Sequence, residues 1–164
     1  MKTNPIRQKE PHLSGLDRTD RMLLRLLAER ADRSYAELSK LVHLSAPAVH
    51  ERVKRLRRDG VIQATVAKLD GEKIGCMLLS FIHVATEGWS MTKPILELKA
   101  LADVEEIHTV TGDAGLILKV RTSGPASLEK LLSRIQEIQG VRSTQSYVAL
   151  GTYLERGPMP EMPE

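Results

Sequence analysis

Cysteine is nearly absent from this 164-residue chain: Cys76 stands alone, which excludes an intramolecular disulfide and suits a reducing compartment. It reads either as a small semi-buried hydrophobe or as a reactive thiol, and no nucleophile–base constellation accompanies it. Aromatic residues are scarce too, with one Phe, one Trp and three Tyr making 3% of the chain. Hydrophobic residues reach 41%, so a core is available, but it must be built from Leu, Ile, Val and Ala. No apolar run approaches the roughly 18 to 20 residues needed to cross a bilayer, and the polar start MKTNPIRQKEPHLSG has no signal-peptide pattern. A cytoplasmic protein with no membrane partner is expected. His12, His43, His50, His83 and His108 show no metal-ligand spacing, so neither a metal, another cofactor nor catalysis is expected.

What is abundant is charge, and it is unevenly placed. The net charge is +3, yet residues 1–70 carry 15 Lys and Arg against 9 Asp and Glu, and residues 71–164 carry 9 against 12. A basic half followed by an acidic half assigns any polyanionic partner to the first. The stretch LSAPAVHERVKRLRRDG, residues 44–60, concentrates Arg52, Lys54, Arg55, Arg57 and Arg58 where Val49, Val53 and Leu56 recur at helical spacing. A solvated surface helix would show the same charge run, so the neighbouring segments must decide.

They predict three helices. LDRTDRMLLRLLAERA offers Asp17 as N-cap and Asp20 in the first turn, then Met22, Leu23, Leu26 and Leu27 along one face. Ser34 and Glu37 form a capping box ahead of a second helix whose inner side is Leu38, Leu41 and Val42. A third helix starts after Ser45, with Pro47 in its first turn and Gly60 as its stop. The intervening turn holds His43, a residue tolerant of positive φ, which either shapes the turn or touches a ligand. Two helices joined so closely, the second of them basic, predict a DNA-binding helix-turn-helix.

Turning the third helix at about 100° per residue points Pro47, Glu51, Lys54, Arg55 and Arg58 away from the Val49–Val53–Leu56 stripe, with Ala48 and His50 flanking. Ser45, Pro47, Ala48, His50 and Glu51 are the candidates to reach base edges, and Lys54, Arg55 and Arg58 to hold phosphate. Arg52 and Arg57 lie nearer the core edge. Glu51 could accept from a cytosine amino group, or pair with Arg55 four residues on. An extended segment, Val61 to Val66, leads out.

From Met77 the pattern becomes β-α-β-β-α-β. MLLSFIHVAT, VEEIHTVT, LILKVRT and VRSTQSYVAL read as strands. MTKPILELKALA is a helix with Ile95, Leu98 and Leu101 or Ala102 inward, and PASLEKLLSRIQEIQ one with Leu128, Leu131, Leu132, Ile135 and Ile138 inward. This order predicts a ferredoxin-like α+β fold: an antiparallel sheet with both helices on one face. Its open face needs covering, so a homodimer is expected. The expected division is an N-terminal arm at 1–15, a winged-type helix-turn-helix domain at 16–62, a linker at 63–76, the ferredoxin-like domain at 77–151 and a proline-rich tail at 152–164. The tail is expected to lack fixed structure or to lie over a neighbour.

The segments LDRTDRMLLRLL, ELSKLVHLSAPAVHERVKRLRRDGVI, LDGEKIG and VTGDAGLILKV together resemble the leucine-responsive regulatory protein/AsnC (Lrp/AsnC) family of transcription regulators, over roughly residues 16–151. The resemblance implies dimers assembling to tetramers or octamers on double-stranded DNA, and a small effector, often an amino acid, held between effector domains. It implies an effector site at Thr111, Gly112, Asp113, Ala114 and Gly115, where Asp113 would face an ammonium and backbone N–H groups near Gly112 and Gly115 a carboxylate. The family pattern resembles Gly-Asp-x-Asp, and this chain has Gly115 in place of the second acid. The loop therefore reads either as an effector site or as a hairpin turn alone. The alternative to an effector-modulated, sequence-specific regulator is an effector-independent or largely non-specific DNA-organising protein of the same fold.

Overall fold

The computed structural model describes residues 15–87 and 92–162, with the Thr92 and Lys93 side chains left aside. The arm expected at 1–15 lies outside the described residues except for Gly15. The chain divides into two compact units. One takes in the described residues up to Ala67 together with those from Glu155 onward, and the other is Lys68–Leu154.

The first unit holds α1 (Arg18–Glu29), α2 (Tyr35–Val42) and α3 (Ala46–Arg58). Each begins on a side-chain cap. Asp17 and Asp20 form a capping box on α1, Ser34 and Glu37 form one on α2, and the Ser45 hydroxyl accepts from Ala48 N–H at 3.4 Å on α3. Glu37 is the most strongly perturbed carboxyl there. The Ser34 backbone N–H and hydroxyl, then Arg30, pull its pKa from an ordinary 4.5 down to about 2. Leu23, Leu38, Val49 and Val53 form a fully buried core, and Leu26, Leu27, Tyr35, Val42, Leu44 and Ile62 pack around it. The expected inner side of α2 is narrower than its periodicity suggested. Leu41 is 50% exposed, because α2 is only two turns long and α1 and α3 meet it from the Leu38 side. Met22 is likewise exposed on α1. Residues 63–70 follow without helix or strand pairing. The C-terminal residues return to this unit: Arg21 donates to the Glu161 carbonyl at 3.2 Å. Pro158, Met159 and Pro160 line a groove of about 870 Å³ with Leu24, Leu27 and Ile62.

The second unit holds β1 (Leu78–Thr86), α4 (Thr92–Lys99), β2 (Val104–Thr109), β3 (Leu116–Thr122), α5 (Pro125–Gln136) and β4 (Val141–Val148). The strands form one four-stranded sheet in the order β2-β3-β1-β4, antiparallel throughout. The period of two decides the faces. Ile82, Val84, Leu116, Leu118 and Val120 point to the helices, and meet Leu98, Leu101, Leu128, Leu131, Ile135 and Ile138 in a single core. Of the two readings for α4, Leu101 is the inner residue and Ala102 is exposed.

Among the described residues no helix packs on the opposite sheet face. Around β1 and β4 it is partly apolar, with Phe81 opposite Tyr147, and Tyr147 tilted against the His83 ring at a centroid distance of 5.1 Å. Around β2 and β3 it is charged. The register shifts between Val104 and Glu106, a bulge that turns both Glu105 and Glu106 toward Lys119. Lys119 Nζ lies 3.3 Å from each of them, and Arg121 Nε donates to Glu105 at 2.7 Å. His108, then Lys119, draws the Glu106 carboxyl below its ordinary pKa against the effect of burial.

Candidate nucleic-acid interface and effector loop

The turn between α2 and α3 determines how α3 is presented. His43 closes α2 in the left-handed region at φ 55° and ψ 43°, its N–H bonded to the Ser39 carbonyl, as the sequence reading of this position required. Leu44 N–H bonds the same carbonyl at 3.1 Å, so the chain reverses within three residues and α3 starts at once. The stripe Val49, Val53 and Leu56 is at most 1% exposed, which anchors the helix and leaves its other side to solvent.

On that side the structure places Ser45, Pro47, His50, Glu51, Lys54 and Arg58 exposed, with Ala48 and Arg55 half-buried. His50 also meets Tyr35 of α2 edge-on at 5.1 Å, which restricts its ring. Glu51, Arg52, Lys54, Arg55 and Arg58 surround a shallow concavity of about 540 Å³. Lys54 makes no ion pair with another described residue. Among the described residues Arg58 pairs only with its neighbour Asp59, at 3.0 Å with both side chains exposed.

The Glu51–Arg55 pair considered above does not form. Glu51 lies 3.4 Å from His50 instead, and Arg55 reaches across to α1, where its Nη2 donates to Asp20 at 2.5 Å. Arg52 joins it, bonding Asp20 at 2.9 Å and Asp17 at 2.6 Å. The reason is burial. The Asp20 side chain is 1% exposed, and a carboxylate withdrawn from water requires charged donors far more than a solvated glutamate does. For Asp17, burial pushes the carboxyl up, but the Asp20 N–H and the Arg52 guanidinium outweigh it and leave the pKa below the ordinary value. Asp17 first, then Asp20, raise that of Arg52.

The sequence marks Asp17 and Asp20 as helix caps only. The missed signal was spacing: Asp20 stands three and seven residues before Leu23 and Leu27, on the face that enters the core.

The second candidate site lies in the second unit. Thr111, Gly112, Asp113, Ala114 and Gly115 occupy the connection between β2 and β3, with the first three exposed and the last two half-buried. Gly112 adopts φ 114°, a conformation that L side chains rarely take. Asp113 makes no hydrogen bond or ion pair with another described residue. Gly115 differs from expectation: its N–H bonds the Val84 carbonyl at 3.1 Å, so it is not free for a ligand. That bond ties the loop to the neighbouring strand β1. Among the described residues no group of three or more His, Cys, Asp or Glu comes together to hold a metal ion, and no helix is long and apolar enough to cross a membrane.

Residues 16–63 match the family model described as winged helix-turn-helix DNA-binding, and residues 79–159 match that of the Lrp/AsnC ligand binding domain. The chain belongs to the Lrp/AsnC family of transcriptional regulators. Among relatives of this Lrp/AsnC protein, HTH-type transcriptional regulator FL11 of Pyrococcus horikoshii is 30% identical over 145 residues, 88% of this chain and 96% of that one. The LrpA regulator of Mycobacterium tuberculosis is 34% identical over 140 residues, covering 85% and 93%. A solved structure, the feast or famine regulatory protein from M. tuberculosis complexed with L-methionine, superposes with a TM-score of 0.82 at 33% identity. It covers 88% of this chain and 99% of that one. This Lrp/AsnC protein thus joins a DNA-binding helix-turn-helix to an α+β ligand-binding domain.

Proposed function

We propose that this regulator binds double-stranded DNA sequence-specifically through α3 and is modulated by an amino acid or related small effector. The observation that carries the DNA reading is the outward side of α3. Its N-terminal half presents Ser45, Pro47, Ala48, His50 and Glu51, and its C-terminal half presents Lys54 and Arg58 on exposed positions. A helix docked in the major groove reads base edges with the first set and holds phosphate with the second. Phe81 at 40% and Tyr147 at 48% exposure, on a sheet face without helices, support a homodimer formed through that face, which assembles further to tetramers or octamers. Two recognition helices then meet half-sites about one helical turn apart. Selection of duplexes from a random library by the purified protein tests the reading. Recovery of a recurrent two-fold motif is expected, and an unenriched pool overturns sequence specificity.

For the effector we assign the loop Thr111, Gly112, Asp113, Ala114 and Gly115. The solved relative carries L-methionine, and the unpaired Asp113 offers an anion for an ammonium group, with Thr111 and the backbone at Gly112 beside it. Calorimetry with the twenty amino acids, followed by Asp113→Ala, decides this. The substitution is expected to abolish ligand heat and leave ligand-free DNA binding intact. One observation favours an effector-independent DNA-organising protein instead: Gly115 replaces an acid, and its N–H is already bonded to Val84.

A further inference from the structure

Arg52 and Arg55 line the same concavity as Lys54 and Arg58, yet each is held from behind by α1. Asp20 Oδ1 accepts from Arg52, its Oδ2 accepts from Arg55 and, at 3.2 Å, from the Asp17 N–H. Asp17 returns the contact through the Asp20 N–H at 2.7 Å. Two carboxylates and two guanidiniums thus form an electrically neutral cluster between α1 and α3, in which Arg52 bridges both acids and Arg55 holds Asp20 alone.

We propose that Asp20 is a positioning residue for DNA recognition: it holds α3 at one rotation about its axis and withdraws Arg52 and Arg55 from the set of side chains that attract phosphate. Arg52 and Arg55 are one helical turn apart, so fastening both to one carboxylate stops α3 from rolling. That hold keeps His50, Glu51 and Lys54 outward. Neutralising two cations also weakens the sequence-independent attraction to DNA, which depends on the number of phosphates neutralised. Fewer phosphate contacts lower affinity for specific and random duplexes alike, so discrimination rests on the base-edge contacts that the held rotation of α3 presents. The inference rests on the reading of α3 as the helix that meets DNA.

The test compares the full-length protein with Asp20→Asn, a near-isosteric change that retains a hydrogen-bond acceptor and removes the charge. Affinity for a 30-base-pair duplex of random sequence is measured by fluorescence anisotropy across 50 to 200 mM salt. Folded fraction is checked by circular dichroism. With its counter-charge gone, Arg55, or Arg55 and Arg52, becomes available to phosphate. The plot of log affinity against log salt then steepens by about 0.9 to 1.8 per recognition helix, and binding tightens at low salt. A purely structural role for Asp20 predicts the reverse sign, since loosened packing weakens binding. Arg55→Gln is the second variant, and it leaves Arg52 on Asp20. Its slope matches the wild type if Arg55 is withdrawn from phosphate, and flattens by about 0.9 if Arg55 is an ordinary phosphate contact. An unchanged or shallower slope in folded Asp20→Asn, or a flattened slope in Arg55→Gln, overturns the proposal. A wild-type protein that binds no duplex instead defeats the reading of α3 itself.

Discussion

Replacing Lys54 and Arg58 together by Ala separates the two kinds of cation on α3. Among the described residues Arg58 has only an exposed partner in Asp59, and such pairs contribute about 0 to 1 kcal/mol, so its charge transfers readily to a phosphate. Lys54 is exposed and has no ion-pair partner among the described residues. Each phosphate contact contributes about 0.9 to the slope of log affinity against log salt, so losing two per helix flattens it by about 1.8. Raising salt fourfold spans about 0.6 log units, so the variant should escape about a twelvefold part of the wild-type loss between 50 and 200 mM. Two helices on one duplex double the change in slope to about 3.6. The assay is anisotropy titration with a labelled random-sequence duplex, on protein whose melting temperature matches the wild type. Because both side chains lie outside the Leu23–Leu38–Val49–Val53 core, that match is expected. An unaltered slope in the double variant would refute the placement of the phosphate-facing side of α3.

Three further outcomes follow from particular contacts. Glu37→Gln should change the acid dependence of stability: the depressed carboxyl stabilises the fold fully above pH 4.5, and that contribution disappears as pH falls toward about 2. The stability gap between wild type and variant in urea melts should therefore narrow across this window, and a constant gap would count against the capping box as its source. Gly71→Ala would bring a Cβ within 2.8 Å of the Cys76 carbonyl oxygen and 2.9 Å of Arg121 Cδ. A cost of about 1 to 3 kcal/mol in chemical denaturation is expected, and a neutral substitution would show that the 70–76 turn relaxes freely. Phe81→Asp should make the protein monomeric in analytical ultracentrifugation while its circular dichroism is retained, because the side chain faces away from the helix-covered core; a persistent dimer would place the interface elsewhere.

Local chemistry made the elements legible. Ser34 with Glu37, Asp17 with Asp20, Ser45 with Pro47 and Gly60 mark helix ends through interactions that span three or four residues, and each is found where the sequence puts it. The same holds for the apolar periods of α3, α5 and β3, since a helix or strand repeats its buried side within its own length. Even the left-handed His43 was readable, because the tolerance belongs to the residue and the need to a short turn. The order of elements then sufficed for the fold class. Side-chain partnerships were different. Arg55 had a good local partner in Glu51, and only the approach of α1 brought a buried Asp20 near enough to take it. Lys119 acquired two acids because a bulge opposite it put neighbouring residues on one face. The Gly115 N–H was claimed by Val84 through strand pairing across about thirty residues, and the proline-rich end met α1 across 140. Periodicity and capping are properties of a segment, so the sequence alone determined the elements. Which charges are neutralised, and which donors remain for a ligand, depends on desolvation and on distances between segments, and those exist only once the chain has folded.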